Sequence, residues 1–153
     1  MNKLYVLVGI PGVGKSTWVE NQEWATDCVI VSTDTHVEKY AADQGKTYNE
    51  VFEDYMPTAV DLMAQDVIRA RAAGKDIIWD QTSTTIKSRK RKFNMLHDYY
   101  KIAVVFREPD RDELYRRLKS RPGKVIPQSV VLQMKAHWED PTVAEGFNEI
   151  WNA

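Results

Sequence analysis

Residues 9–17 read GIPGVGKST and stand directly after the apolar run LYVLV. Gly9 through Ser16 fit the pattern G-x-x-x-x-G-K-[ST], with a strand pattern before it and a helix pattern, KSTWVENQ, after it. That order constrains the fold more than any other feature. The glycines let the backbone turn successive N–H groups inward around a phosphate. The start of the following helix adds its positive dipole end. Gly9, Pro11, Gly12, Val13, Gly14, Lys15, Ser16 and Thr17 are therefore the expected nucleotide-binding residues. Lys15 is expected to reach the β- and γ-phosphates, and Ser16 to offer its hydroxyl to Mg²⁺.

Apolar runs alternate with amphipathic stretches along the chain. LYVLV (4–8), CVIVS (28–32), DIIWD (76–80) and KIAVVF (101–106) read as short strands buried on both faces. Helical patterns lie between them. One runs from about Tyr48 to Ala73, stops at Gly74, and is expected to kink or divide at Pro57. Others are SRKRKFNMLHDYY, Asp110 to Ser120 with Pro109 and Asp110 as start signals, and PQSVVLQMKAHW from Pro127. The alternation predicts an α/β fold of three layers, a P-loop NTPase of the kinase type, with a central parallel sheet and helices on both faces. At 153 residues, one domain spanning residues 1–153 is expected.

Two acids fall at strand ends, where open parallel sheets bind ligands. Asp34 follows CVIVST and Asp80 ends DIIWD. A kinase needs a carboxylate beside the accepting hydroxyl, and Asp34 is the candidate; its alternative is a helix N-cap. Asp80 is the candidate for Mg²⁺ through water, or for substrate, with Thr82 beside it; its alternative is a turn or cap. Further on, Arg117 and Arg121 are four apart, and Arg121-Pro122-Gly123-Lys124 reads as a lid. An arginine there closes over a triphosphate and stabilises spreading charge. Arg111 and Arg116 are expected to pair with Asp112 and Glu113.

Charge is unevenly spread behind a net of −1. Residues 1–86 hold 7 Lys/Arg against 13 Asp/Glu, and residues 87–153 hold 14 against 9. The basic excess begins at KSRKRK (87–92), which is either a solvated helix face or a phosphate-facing one. Cys28 stands alone, so no internal disulfide forms, and a reducing cytoplasm is expected. No apolar run approaches the roughly 20 residues of a membrane span, so no membrane partner is expected. There is no Cys/His zinc cluster. No feature of the sequence assigns an oligomeric state.

With these residues in place, the chain resembles the polynucleotide kinase-like P-loop kinases, among them small phage-encoded AAA-domain kinases. The resemblance covers nearly the whole chain in order: GIPGVGKSTW, VSTDTH, IIWDQTSTTIKSRKRKF, RLKSRPGKVIP and DPTVAEGFNEI. It implies an ATP- and Mg²⁺-dependent kinase with a nucleic acid, DNA or RNA, as substrate. A 5′-hydroxyl acceptor comes first, a base hydroxymethyl group second, and a nucleoside, nucleotide or other small molecule third. It implies Asp34 as general base, Asp80-Gln81-Thr82 as a substrate-side motif, and Arg89 as a substrate-binding arginine. It also implies Arg117 and Arg121 as lid arginines, and a last strand beyond Glu145-Gly146-Phe147 with no phosphatase domain after it. Two positions depart from the pattern. Thr33 stands where an arginine precedes the base, and Val37 where an arginine would hold a nucleic-acid phosphate, with His36 beside it. Trp79, Tyr40 and Tyr48 are candidate stacking platforms for a base, each with a core or surface role as the alternative. Outside the kinase class, an ATPase switch or motor subunit is the alternative reading.

Overall fold

The computed structural model describes residues 1–108, 111–121 and 123–153. Pro109 and Asp110, expected to start a helix, and Pro122 of the expected lid lie outside them. Five strands form one parallel sheet: β1 (Lys3–Val8), β2 (Val29–Val31), β3 (Ile77–Trp79), β4 (Tyr100–Val105) and β5 (Glu149–Asn152). Their spatial order is β2-β3-β1-β4-β5. β5 is the strand expected beyond the Glu145-Gly146-Phe147 segment. Six helices connect or follow these strands: α1 (Lys15–Glu20), α2 (Thr33–Asp43), α3 (Tyr48–Ala72), α4 (Ile86–Met95), α5 (Arg111–Lys119) and α6 (Gln128–Ala136).

Side chains alternate across β1, as a pleated strand requires. Leu4, Val6 and Val8 pack with Met63, Val67 and Ala70 of α3 and with Phe93 of α4. Tyr5 and Leu7 pack on the other face with Val19, Ala25 and the rings of Trp18 and Trp24. The expectation of full burial on both faces holds for β1 and β3 but fails for β2. That strand lies at the sheet edge, and Ile30 is 47% exposed.

Helix α3 is continuous through Pro57, so the expected division does not occur. The proline removes one N–H, yet the buried face of Val51, Ala59, Met63, Val67 and Ala70 continues on both sides of it. A capping box of Thr47 and Glu50 starts the helix. Gly74, with φ +65°, follows its end in a conformation that favours glycine.

Helix α4 answers the question posed by KSRKRK. Lys87, Lys90 and Arg91 are exposed, but Arg89 and Lys92 are buried. The expected substrate-binding role of Arg89 is corrected by its surroundings. Its side chain is 0% exposed and forms an ion pair with Glu145, Nε to Oε1 at 2.5 Å. Its remaining donors reach the carbonyls of Ser83 at 2.9 Å and Glu139 at 3.0 Å. Arg89 thus ties the segment after β3 to the C-terminal region instead of facing a ligand. Breaking a buried pair leaves an uncompensated charge, so Arg89→Ala is expected to lower stability by roughly 3–5 kcal/mol. Urea unfolding followed by circular dichroism measures this; an unchanged midpoint with impaired catalysis would return Arg89 to a substrate role.

Candidate active site

The phosphate loop joins β1 to α1. Gly12 and Gly14 have φ of +86° and +95°, in the region glycine enters most easily. A Cβ on Gly12 would lie 3.1 Å from Leu118 of α5, so this position also needs glycine for close packing. Gly14 caps α1 with no side-chain hydrogen bond, which leaves the first-turn N–H groups without a side-chain partner. Of the expected loop residues, Pro11, Gly12, Gly14, Lys15, Ser16 and Thr17 line a cleft of about 1070 Å³. Gly9 and Val13 do not line it. Gly9 N–H donates to the Thr82 carbonyl at 2.9 Å, and Val13 packs against the apolar interior. The Lys15 ammonium donates to Gly9 O at 2.6 Å and to Ile10 O at 3.3 Å. Burial pulls its pKa down to about 8, against the opposing pull of the Asp80 and Asp34 carboxylates.

The two acids meet this loop from neighbouring strands. Ser32 is the N-cap of α2, accepting from Asp34 N–H at 3.1 Å. The capping alternative for Asp34 is therefore corrected: the residue lies in the first helical turn with its carboxylate free for other work. That side chain is 48% exposed and lines the cleft. The Tyr48 hydroxyl donates to Oδ1 at 2.6 Å and the Lys124 ammonium to Oδ2 at 3.0 Å. Burial pushes the Asp34 carboxyl up, but the Tyr48 hydrogen bond and the charges of Lys124 and Lys15 outweigh it and hold the group below its ordinary range. Asp80 moves the other way. Burial raises its pKa, the Asp34 charge adds to the rise, and Lys15 opposes it. Backbone hydrogen bonding fixes its place, since Asp80 N–H donates to Val31 O at 2.9 Å.

Ser16, Asp80 and Thr82 all line the cleft. A hydroxyl and a carboxylate are hard oxygen donors of the kind Mg²⁺ accepts beside phosphate and water. Among the described residues, no group of three or more His, Cys, Asp or Glu could hold a metal by itself. Ser16 and Asp80 fit an ion shared with a nucleotide, which needs only one or two protein ligands.

The platform candidates separate. Trp79 is buried at the end of β3, and its indole N–H donates to Gln81 Oε1 at 3.0 Å. Tyr40 stacks on Tyr55 with ring centroids 3.9 Å apart. Only Tyr48 lines the cleft. His36 pairs with Asp66 at 2.6 Å, and Val37 is fully buried.

The arginines also separate. Helix α5 ends at Lys119, before Arg121, so Arg117 and Arg121 do not share a helix face. Arg117 donates to Glu113 Oε1 at 2.8 Å and to Gly12 O at 3.3 Å. Arg116 pairs with Glu113, as the sequence suggested. Arg121 lines the cleft. Two residues beyond sequence reasoning complete the picture. Lys124 reaches Asp34 and Glu38, and Asn49 holds both backbone groups of Val125. Separations of 90 and 76 residues hid these contacts. The only hint was a lysine in a short Arg-Pro-Gly-Lys turn. The α2–α3 wall of the cleft adds Glu38, Glu53, Asp54 and Phe52.

Comparison with known proteins places this chain in a family. The profile of the AAA domain family matches residues 4–141. The chain belongs to this family. It is 28% identical over 153 residues to the bifunctional polynucleotide phosphatase/kinase of Schizosaccharomyces pombe, covering 97% of this chain and 32% of that relative's length. Its fold is similar to a candidate kinase from Chloroflexus aurantiacus, with TM-score 0.73 and 15% identity over 99% of this chain and 87% of that one. It is also similar to a chain of the Pnkp1/Rnl/Hen1 RNA repair complex, with TM-score 0.66 and 22% identity over 89% of this chain and 43% of that one. No helix among the described residues is long and apolar enough to cross a membrane.

With burial pulling the Lys15 ammonium down to about 8, nucleotide binding at the phosphate loop is expected to depend on pH. The phosphates favour the ammonium form. ATP affinity is therefore expected to be undiminished below pH 8 and to fall as pH rises through that value. Calorimetry between pH 7 and 9.5 checks this; a flat profile would show that Lys15 does not meet the phosphates as a titrating cation.

Proposed function

We propose that this protein transfers the γ-phosphoryl group of ATP to a hydroxyl of a nucleic acid, foremost a 5′-terminal hydroxyl. One observation supports the reading above others. The Asp34 carboxylate is half exposed in the same cleft as Lys15, Ser16, Asp80 and Arg121. Phosphoryl transfer depends mainly on positioning and on charge stabilisation. Lys15 and the loop backbone would hold the phosphates. Ser16 and Asp80 would hold Mg²⁺, directly and through water, and the bound ion would neutralise phosphate charge. Arg121 would offset charge spreading over the transferred group. Asp34 would accept the proton of the attacking hydroxyl as the bond to phosphorus forms and the bond to ADP breaks. Likeness to the S. pombe enzyme favours a polynucleotide end.

A specific observation favours a second reading, in which the acceptor is a free nucleoside or another uncharged hydroxyl compound. Glu38, Glu53 and Asp54 line the acceptor wall, and buried Val37 offers no charge for a neighbouring phosphate. A hydroxymethyl group on a base within DNA is the remaining alternative. Its phosphate contacts would fall to the exposed Lys87, Lys90 and Arg91.

Labelled ATP offered with 5′-hydroxyl oligonucleotides, hydroxymethyluracil-containing DNA and free nucleosides separates the three. Label on the oligonucleotide end is expected; label on nucleosides alone would overturn the nucleic-acid reading. Lys15→Ala is expected to abolish transfer. Asp34→Asn is expected to keep ATP binding and lose roughly 10²–10⁴ in rate. Acceptor-independent ATP turnover that Asp34→Asn leaves intact would instead support an ATPase switch.

A further inference from the structure

The segment 123–125, part of the expected lid, is fastened to the α2–α3 wall by three hydrogen bonds. Asn49, in the first turn of α3, donates Nδ2–H to Val125 O at 2.9 Å and accepts from Val125 N–H at 2.7 Å. Its own N–H donates to Gly123 O at 3.1 Å. Gly123 has φ +68°, and a Cβ there would lie 2.9 Å from Thr47, so the turn rests directly on the start of α3. Between these contacts, Lys124 projects inward. Its ammonium lies 3.0 Å from Asp34 Oδ2, 3.1 Å from Glu38 Oε1 and 4.5 Å from the centre of the Tyr48 ring. It is largely buried, with 14% of its side chain exposed.

We propose that Lys124 is the positioning residue through which the lid fixes the Asp34 carboxylate, and that Asn49 is the latch that keeps Lys124 in place. This rests on Asp34 being the base of the proposed transfer. Each carboxylate oxygen accepts two hydrogen bonds. With Tyr48 on Oδ1 and Lys124 on Oδ2, the carboxylate plane is fixed while Oδ2 retains a second acceptor position for the substrate hydroxyl. Without Lys124 in this place the cation is lost and the carboxylate is free to rotate.

The charged and titratable groups facing Asp34 come from every neighbouring element. They are Lys15 at the start of α1, Glu38 on its own helix, Tyr48 on α3, Asp80 after β3, and Arg121 and Lys124 on the lid. Removing the Lys124 charge while keeping its length, as in Lys124→Met, leaves the others in place. An opposite charge at this distance shifts a carboxylate by roughly one pH unit or more. Carbon-13 NMR titration of the Asp34 carboxyl, identified by its loss in Asp34→Asn, reads that shift directly and needs no acceptor. In Lys124→Met the titration is expected to move up by roughly one pH unit, and the acid limb of kcat/KM with it. Asn49→Ala is expected to move it in the same direction, and the double variant no further than Lys124→Met alone. Lys124→Arg is expected to restore the limb. An unmoved Asp34 titration in Lys124→Met, or additive shifts in the double variant, would overturn the proposal. Normal transfer by Asp34→Asn would instead overturn the base assignment and leave the titration result standing.

Discussion

Two backbone hydrogen bonds hold the functional end of this molecule in register. Asp80 N–H bonds to Val31 O, and Gly9 N–H bonds to Thr82 O. They extend the pairing of β2 with β3, and of β3 with β1, just past the strand ends. As a result, the loop after each of three parallel strands opens at one end of the sheet: the phosphate loop after β1, Asp34 after β2, Asp80 after β3. Without that shared end the chemical groups would be scattered along the chain. With it, residues 15, 34 and 80 share one cleft, where burial is the largest influence on each titration and their mutual charges act beside it.

Those shifts run in useful directions. Burial lowers Lys15 and raises Asp80, which eases the approach of several charged groups in one cleft. Asp34 goes against the trend, because Tyr48 and Lys124 stabilise its charge more than burial opposes it. An Asp34 held ionised at neutral pH is a weak base toward a free alcohol. It suffices in phosphoryl transfer, where the proton leaves late and positioning dominates. The same cleft has an acidic α2–α3 wall, and Arg121 and Lys124 from the basic later part of the chain also line it.

Much of this was legible in the sequence because the signals are local. The phosphate loop depends on glycine spacing, and the strand-end acids on their position after short apolar runs. The C-terminal strand lies where the family resemblance implied it. What was hidden is non-local. Arg89 looked like part of a solvated or phosphate-facing basic run, yet it is paired with Glu145, 56 residues away. A run of five basic residues does not show which of them face inward, and burial of Arg89 and Lys92 comes from packing of α4 on the sheet. Pro57 is a local signal that tertiary packing overrode. Ile30 looked buried because its neighbours are apolar, but β2 forms the sheet edge, a matter of strand order. Ser32 displaced Asp34 as the helix cap by a shift of two residues.

The proposed chemistry comes down to a single direct transfer, in which Asp34 takes a proton and never becomes bonded to phosphorus. A phosphorylated aspartate would use the same carboxylate for a different purpose. The stereochemistry at phosphorus distinguishes them most directly. With ATP made chiral at the γ-position by sulfur and oxygen isotopes, the product phosphoryl group should emerge with inverted configuration. Retention would mean two successive displacements and would contradict the assignment of Asp34 as the base.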